Sequence, residues 1–308
     1  MPVNNSVLGN NSAPVYLVDA SIYIFRAYFS IPDRWFEPGG YPVNALYGYV
    51  QFWLKFLREA APEKVVAAYD ESLGGCFRNE LYPDYKMSRV LPDETLAFQL
   101  QACKEFTGIL GIASPASERY EADDILATLV EQARGRGEAV TIVSRDKDLG
   151  QLLKTERDIF WDFADDRRLD RAGITEKFGV RPEQLADYLA LVGDSIDDVP
   201  GVPGVGPKTA AALLQRFGTI NALYDGLEQV AQCDIRGARS LASKLEIYRE
   251  QLSVTRQLVT LHTRVPLDRK TRSMRWLPPS VETVRCFLDE FGLGEVFARQ
   301  LERCDCWS

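Results

Sequence analysis

Residues 15–19 read VYLVD, four apolar or aromatic positions running into one acid. So short an apolar run has the character of a strand buried on both faces, as in parallel sheets. VVAAYD (65–70) and AVTIVSRD (139–146) repeat that form, and DIFWDF (158–163) offers a fourth strand. Between them lie helical patterns: one begins near Asn44, LAFQLQACKEFTGIL (96–110) stops at Gly111, and EADDILATLVEQARGRG ends in glycines. This βαβα order predicts an α/β fold, a parallel sheet flanked by helices. From about residue 172 the pattern becomes helices joined by Gly/Pro turns, namely RPEQLADYLALVGD, PKTAAALLQRFG, TINALYDGLEQV, SKLEIYREQLSVTRQLV and SVETVRCFLDEFGL. The expected organisation is a flexible polar tail (1–13), an α/β domain (14–172) and a helical domain (173–308), with no internal repeat.

Composition narrows the chemistry. The chain has 308 residues, 46% hydrophobic and 26% charged, with a net charge of −8. No apolar run approaches the roughly 20 residues that span a bilayer. The first residues, MPVNNSVLGNNSAP, lack a basic region and an apolar core, so a cytoplasmic protein is expected. The six cysteines form no C-x-x-C pair, which suits a reducing compartment, and Cys304 and Cys306 have no partner pair for a metal. His262 is the single histidine, which argues against triads and His-rich metal sites. Any catalysis must then rest on carboxylates or metals. Neither a Walker motif nor a G-x-G-x-x-G after a strand is present, so no nucleotide cofactor is expected.

The acids stand where parallel sheets gather their sites, outside the carboxyl ends of strands. Asp19 ends one strand and Asp70 another, while Asp146 and Asp148 follow a third. Glu121, Asp123 and Asp124 open a helix, and Asp194 and Asp197 lie in the loop VGDSIDDVPGVPGVGPKTA (192–210). Alone, each would read as a turn, a helix cap or a complement to the helix dipole. Nine carboxylates on one rim would repel strongly unless cations offset them. Oxygen ligands without His or Cys suit Mg²⁺ or Mn²⁺, and a pair of such ions suits phosphodiester cleavage. Without those nine acids the formal charge moves from −8 to +1, so the acidity belongs largely to this rim.

LVDASIYIFRAY, YDESLGGCFRNELYPDYKMSR, YEADDILATL, SRDKDLGQLL and GDSIDDVPGVPGVGPKTA occur in this order. Together they resemble the bacterial and phage 5′-nuclease family, which includes the 5′→3′ exonuclease domain of DNA polymerase I and flap endonucleases. The likeness runs from about residue 14 to about 265. It implies a PIN-like (Rossmann-like) sheet, a helical arch at about 71–100 and a helix-hairpin-helix at about 185–217. It also implies a structure-selective nuclease with two divalent ions, acting in replication or repair on DNA 5′ ends, 5′ flaps and branched junctions. Asp19, Asp70, Glu121, Asp123 and Asp124 match ligands of a first ion; Asp146, Asp148, Asp194 and Asp197 match those of a second. Arg26, Arg78, Lys86 and Arg89 match residues that grip phosphates. Gly201, Gly204, Val205, Gly206, Lys208 and Thr209 match a hairpin that binds duplex DNA, where family members often hold K⁺. Two positions depart from the family pattern: Ala20 stands where many relatives have Gly, and Asp198 where Asn is usual. The resemblance implies a stand-alone, monomeric nuclease associated with the nucleoid through DNA. A junction-binding scaffold of the same fold with weak catalysis is the alternative, which the intact acid set disfavours.

Overall fold

The computed structural model describes residues 13–72, 75–89, 91–235, 237–268, 271, 273–304 and 307. The expected tail therefore lies outside the described residues except at residue 13. β1 (Val15–Asp19) is an interior strand of a five-stranded sheet. It pairs in parallel with β2 (Lys64–Ala68) on one side and β3 (Val140–Val143) on the other. β4 (Ile159–Asp162) continues the parallel order, and β5 (Arg167–Leu169) closes the edge antiparallel, giving the order β2-β1-β3-β4-β5. β5 carries two arginines in three residues, which hides it from an apolar-run reading.

The alternation of β1 sets up two apolar layers. Val15 and Leu17 face one core together with Val66, Ile142 and Phe160. Val18 faces the other with Val65, Ala67, Val143 and Trp161. α5 (Ala122–Gly135) covers the first layer. α1 (Ala20–Ser30), α2 (Asn44–Ala60) and α4 (Glu94–Ile109) cover the second. α1 follows β1 directly and is absent from the sequence reading, because the aromatic and β-branched residues of ASIYIFRAYFS give no clear polar face.

The first core continues without a break into the helical part. α6 (Arg171–Phe178), α7 (Leu185–Val192), α8 (Pro207–Phe217) and α9 (Ile220–Asp225) contribute Ile174, Leu189, Leu213 and Leu223 to it. The single helix expected over SKLEIYREQLSVTRQLV is two, α10 (Ala238–Ile247) and α11 (Arg249–Val259), broken at Tyr248. The last helices depart from the expected division. α12 (Val281–Glu290) and α13 (Gly294–Glu302) pack on the opposite side of the sheet, against α2 and α4. Phe287 meets Phe106 at 5.5 Å and Phe297 meets Tyr47 at 5.2 Å. Each such buried side chain contributes on the order of 1.5–3 kcal/mol. Residues 281–302 thus stabilise the α/β layer rather than the helices that precede them.

Among the described residues no helix is long and apolar enough to cross a membrane. Cys76, Cys103, Cys233 and Cys286 are free thiols, whereas Cys304 is disulfide-bonded.

Candidate active site

The carboxylates gather at the carboxyl edge of the sheet because three strands end there and one helix begins there. Asp19 is the last residue of β1, and Ser144, just past β3, donates its hydroxyl to Asp19 Oδ2 at 2.8 Å. The same hydroxyl accepts the backbone N–H of Asp146 at 3.0 Å, which ties the two strand ends together. Asp146 caps a short 3₁₀ turn (Lys147–Leu152) by accepting the N–H of Asp148 at 2.9 Å. Asp70 follows β2; its N–H donates to the Ser21 hydroxyl at 2.9 Å. Glu121 and Asp124 form a reciprocal capping box at the start of α5. Asp194 and Asp197 come from the loop after α7, where Asp194 pairs with Val199 across a tight bridge.

Proximity shows in the titration of these groups. Burial, then Asp146 and Asp70, push the Asp19 carboxyl up to about 7 despite the Ser144 hydrogen bond. Burial and the neighbouring Asp146 likewise push Asp148 up to about 7. Asp123 is raised well above the usual range by burial, Asp146 and Asp19, and Asp146 is raised chiefly by burial. Asp148 Oδ1 is buried without a hydrogen-bond partner. Four of the nine acids are thus raised by burial and by neighbouring carboxylates, and one of their buried oxygens lacks a donor.

Of the other five, Asp70 accepts from the hydroxyl of Ser72 at 2.8 Å, and Glu121, Asp124, Asp194 and Asp197 are held by the chain's own cations. Arg78, in the short helix α3 (Phe77–Leu81), is 1% exposed. Its guanidinium donates to Asp124 Oδ1 and Oδ2 at 2.8 and 2.6 Å, to Glu121 Oε2 at 2.8 Å and to the carbonyl of Leu258 at 2.6 Å. Asp124 also accepts the N–H of His262 at 2.8 Å and that of Glu121 at 3.3 Å, so its acceptor positions are filled. This corrects two expectations. Arg78 is walled in by partners and faces no open surface from which to grip a phosphate. Asp124 orients Arg78 and the first turn of α5 instead of facing the ring as a ligand.

Lys86 and Arg89 are better placed for an incoming phosphate. Lys86 pairs with Glu121 and lies 3.7 Å from Asp197, while Arg89 pairs with Asp197 and is half exposed. Their segment is pinned to the acidic loop by Lys86 N–H to the Asp197 carbonyl (3.0 Å) and Ser88 N–H to Asp198 Oδ2 (2.8 Å). Tyr85, which in sequence reads as one of the aromatics suited to a flexible strand, is buried and donates its hydroxyl to Glu121 Oε2 at 2.9 Å. Arg26 stands apart: it lines a groove of about 550 Å³ with Lys55, Arg58 and Arg303, bordered by none of the nine carboxylates.

Lys147 was overlooked, although the string RDKD places it between two of the acids. Its ammonium lies 2.5 Å from Asp194 Oδ2 and 3.7 Å from Asp148 Oδ1. Partial burial works against ionisation of Asp194, yet Lys147 and the N–H of Ile196 hold its carboxyl below the usual range.

The glycine-rich hairpin joins α7 to α8. A Cβ on Gly201 would lie 2.2 Å from the carbonyl oxygen of Val192, so this glycine serves the close crossing of the hairpin's own strands. Val205 is buried, and its N–H donates to the Val202 carbonyl at 2.9 Å, which removes both its side chain and its N–H from any outside contact. Gly204 (φ +83°) and Gly206 leave open backbone at the start of α8, beside exposed Lys208 and partly exposed Thr209.

A family profile described as the 5′-3′ exonuclease N-terminal resolvase-like domain matches residues 14–179, and one described as the 5′-3′ exonuclease C-terminal SAM fold matches residues 180–282. The chain belongs to the 5′-3′ exonuclease family. A 5′-3′ exonuclease of Aquifex aeolicus is 31% identical, over 90% of this chain and 91% of its own length. DNA polymerase I of Rhizobium leguminosarum is 34% identical over 95% of this chain, and that of Pseudomonas aeruginosa 38% over 84%. The chain spans only 29% and 28% of those polymerases. Among solved structures, the T5 5′-exonuclease bound to zinc superposes with a TM-score of 0.66 at 20% identity, covering 94% of this chain and 98% of the other. The catalytic core of Rad2 in complex with a DNA substrate superposes with 0.64 at 19%, covering 94% and 92%. These likenesses establish the fold.

The family implies divalent cations, and the residues present fit them. The donors are carboxylate oxygens alone, four of the acids are raised by burial and by neighbouring carboxylates, and one buried oxygen has no donor. Among the described residues no three acidic side chains already converge as a metal cage. Lys86, Arg89 and Lys147 hold Glu121, Asp197 and Asp194 instead.

Proposed function

We propose that the protein is a structure-selective 5′ nuclease, acting on DNA as a 5′→3′ exonuclease and 5′-flap endonuclease in replication or repair. The observation that carries this reading is the under-neutralised ring of acids at the strand ends of a 5′-3′ exonuclease family chain. Relatives support it: the Aquifex aeolicus protein is named a 5′-3′ exonuclease. The T5 flap endonuclease, with a TM-score of 0.64 to this chain, is described as a complex with DNA and metal ions.

In this reading Asp19, Asp70, Glu121 and Asp123 hold one divalent ion, and Asp146, Asp148, Asp194 and Asp197 a second. Mg²⁺ is the natural choice and Mn²⁺ substitutes for it. When bound, such ions supply Lewis acidity for displacement at phosphorus. The protein does the remaining work. Asp124 and Arg78 fix the first turn of α5, so Glu121 and Asp123 are presented in register. Tyr85 and Lys86 set the rotamer of Glu121. Lys86 and Arg89 are near enough to the ring to exchange a carboxylate for a scissile phosphate. At the other end of the acidic loop, open N–H groups at the start of α8 with Lys208 and Thr209 bind a duplex phosphate, with K⁺ held by hairpin carbonyls. Backbone contacts of this kind make binding salt-sensitive and nearly indifferent to sequence.

A scaffold without chemistry would gain nothing from like charges that weaken its own fold. The test is a labelled 5′-flap duplex incubated with the purified protein in Mg²⁺, in EDTA, and with Asp146→Asn, an isostere that retains the cap on Asp148. Cleavage in Mg²⁺ alone is expected. No cleavage by the wild-type protein in any divalent ion would sink the enzyme reading, and cleavage that survives EDTA would sink the metal requirement.

A further inference from the structure

Lys147 is the one cation of the ring that comes from the ring's own 3₁₀ turn, and its place has a consequence. It lies between Asp146 and Asp148 in sequence, and its ammonium lies between Asp148 Oδ1 and Asp194 Oδ2 in space, at 3.7 and 2.5 Å. Both oxygens belong to carboxylates that hold the second ion in the reading above. Asp194 Oδ1 is already committed to the N–H of Ile196 at 2.9 Å, and Asp146 Oδ1 to that of Asp148. Asp148 Oδ1 has no hydrogen bond at all and faces Lys147 only as a distant ion pair. The Lys147 side chain is 40% exposed, so it has solvent to move into, whereas Arg78 at the other end of the ring has none.

We propose that Lys147 is a built-in competitor for the second divalent ion: an internal counter-ion that holds Asp194 and Asp148 and is exchanged for the incoming cation. This rests on the two-ion reading above. The exchange is balanced in simple terms: the ammonium turns to solvent, and a divalent ion takes the freed oxygens. Asp19, Asp70, Glu121 and Asp123 make no ion pair with Lys147; the internal cations of that half, Arg78 and Lys86, hold only Glu121 of these four. Two affinity classes follow, the weaker being the half in which Lys147 must leave two carboxylates. The protein then commits the second ion last, when a polyanionic substrate is present to take up the displaced ammonium. Lys147 is thus a positioning residue, acting through the carboxylates rather than on the reacting atoms.

The test is Mn²⁺ binding at pH 8 without DNA, with free Mn²⁺ read by electron paramagnetic resonance. The wild type should bind two ions with distinct affinities. Lys147→Met keeps the aliphatic stem and removes the charge, and should tighten the weaker class about tenfold, partial exposure limiting the effect, while leaving the tighter class unchanged. Lys147→Gln should do the same should the Met variant fold poorly, and Lys147→Arg should restore the weak class. A Met or Gln variant within twofold of wild type in both classes, or equal tightening of both, overturns the proposal while the two-ion reading stands. Absence of any Mn²⁺ binding to the wild type overturns both.

Discussion

Replacing Arg78 by methionine isolates the largest electrostatic commitment in the molecule. The variant keeps most of the side-chain volume and deletes four hydrogen bonds, three of them to carboxylates. Asp124, fully buried, keeps only the N–H groups of His262 and Glu121; Glu121 keeps Lys86 and Tyr85. Breaking a buried pair by removing one partner costs about 3–5 kcal/mol, because an uncompensated charge remains. Unfolding entropy is about 2.1 cal/mol/K per residue, or about 0.65 kcal/mol/K for a chain this long unfolding as one unit, so melting should fall by about 5–8 °C. The assay is differential scanning calorimetry in EDTA at pH 7.5, which removes any contribution from bound ions. The control is Arg89→Met. Its pair with Asp197 is half exposed, and its loss should cost less than about 1 kcal/mol, or under 2 °C. If Arg78→Met melts within 1 °C of wild type but binds DNA poorly, Arg78 is a phosphate ligand after all and the reading of it as an internal anchor fails.

Three further outcomes are expected. Asp146→Asn should lower flap cleavage by about 10² or more, yet raise the melting temperature in EDTA at pH 8, because it removes one of several buried like charges; a lower melting temperature would contradict the crowding of the ring. The carboxyls of Asp19 and Asp148 titrate near 7 in the fold against about 4 in an unfolded chain. The stability they contribute is therefore complete below about pH 4 and lost as pH rises through 7. Thermal melts in EDTA should accordingly fall between pH 5 and 8, and added Mg²⁺ should raise melting more at pH 8 than at 5.5. Lys208→Ala should reduce the salt slope of duplex binding by about one and leave melting unchanged; an unchanged slope would remove the α8 N-terminus from the DNA surface.

The class of the fold was legible because strand signals are local. VYLVD, VVAAYD and AVTIVSRD each carry their own apolar run and terminal acid, and parallel pairing places those ends on one edge. What escaped was non-local. An amphipathic helix reads the same whichever apolar layer it covers, so nothing in SVETVRCFLDEFGL could say that Phe287 meets Phe106 on the far side of the sheet. The break at Tyr248 falls in a stretch with no glycine or proline to mark it. Arg78 among Phe77, Tyr82 and Tyr85 has the composition of an exposed strand-binding segment, but its partners lie 43, 46 and 180 residues away. Val205 looked like part of a phosphate loop, and only the hairpin's packing against the core shows it turned inward.

Burial sorts the four cations of the ring into two kinds. Arg78 has a side-chain exposure of 2%, and its partners Asp124 and Glu121 have 0% and 7%; separating them would strand charge in a medium where no water replaces the lost donors. That unit behaves as structure. Lys86, 18% exposed against a Glu121 of 7%, lies between the two kinds. Lys147 and Arg89 have exposures of 40% and 45%, and pairs with this much access to solvent contribute little net stability. Each can give up its carboxylate to a better cation and turn to a better anion at small cost. A ring neutralised wholly by buried arginines would be stable and inert, and one with no internal cations would be strongly self-repelling before any ion arrived. The mixture leaves the fold intact with its acids partly compensated, and leaves exchangeable those contacts that divalent ions and a phosphate backbone would replace.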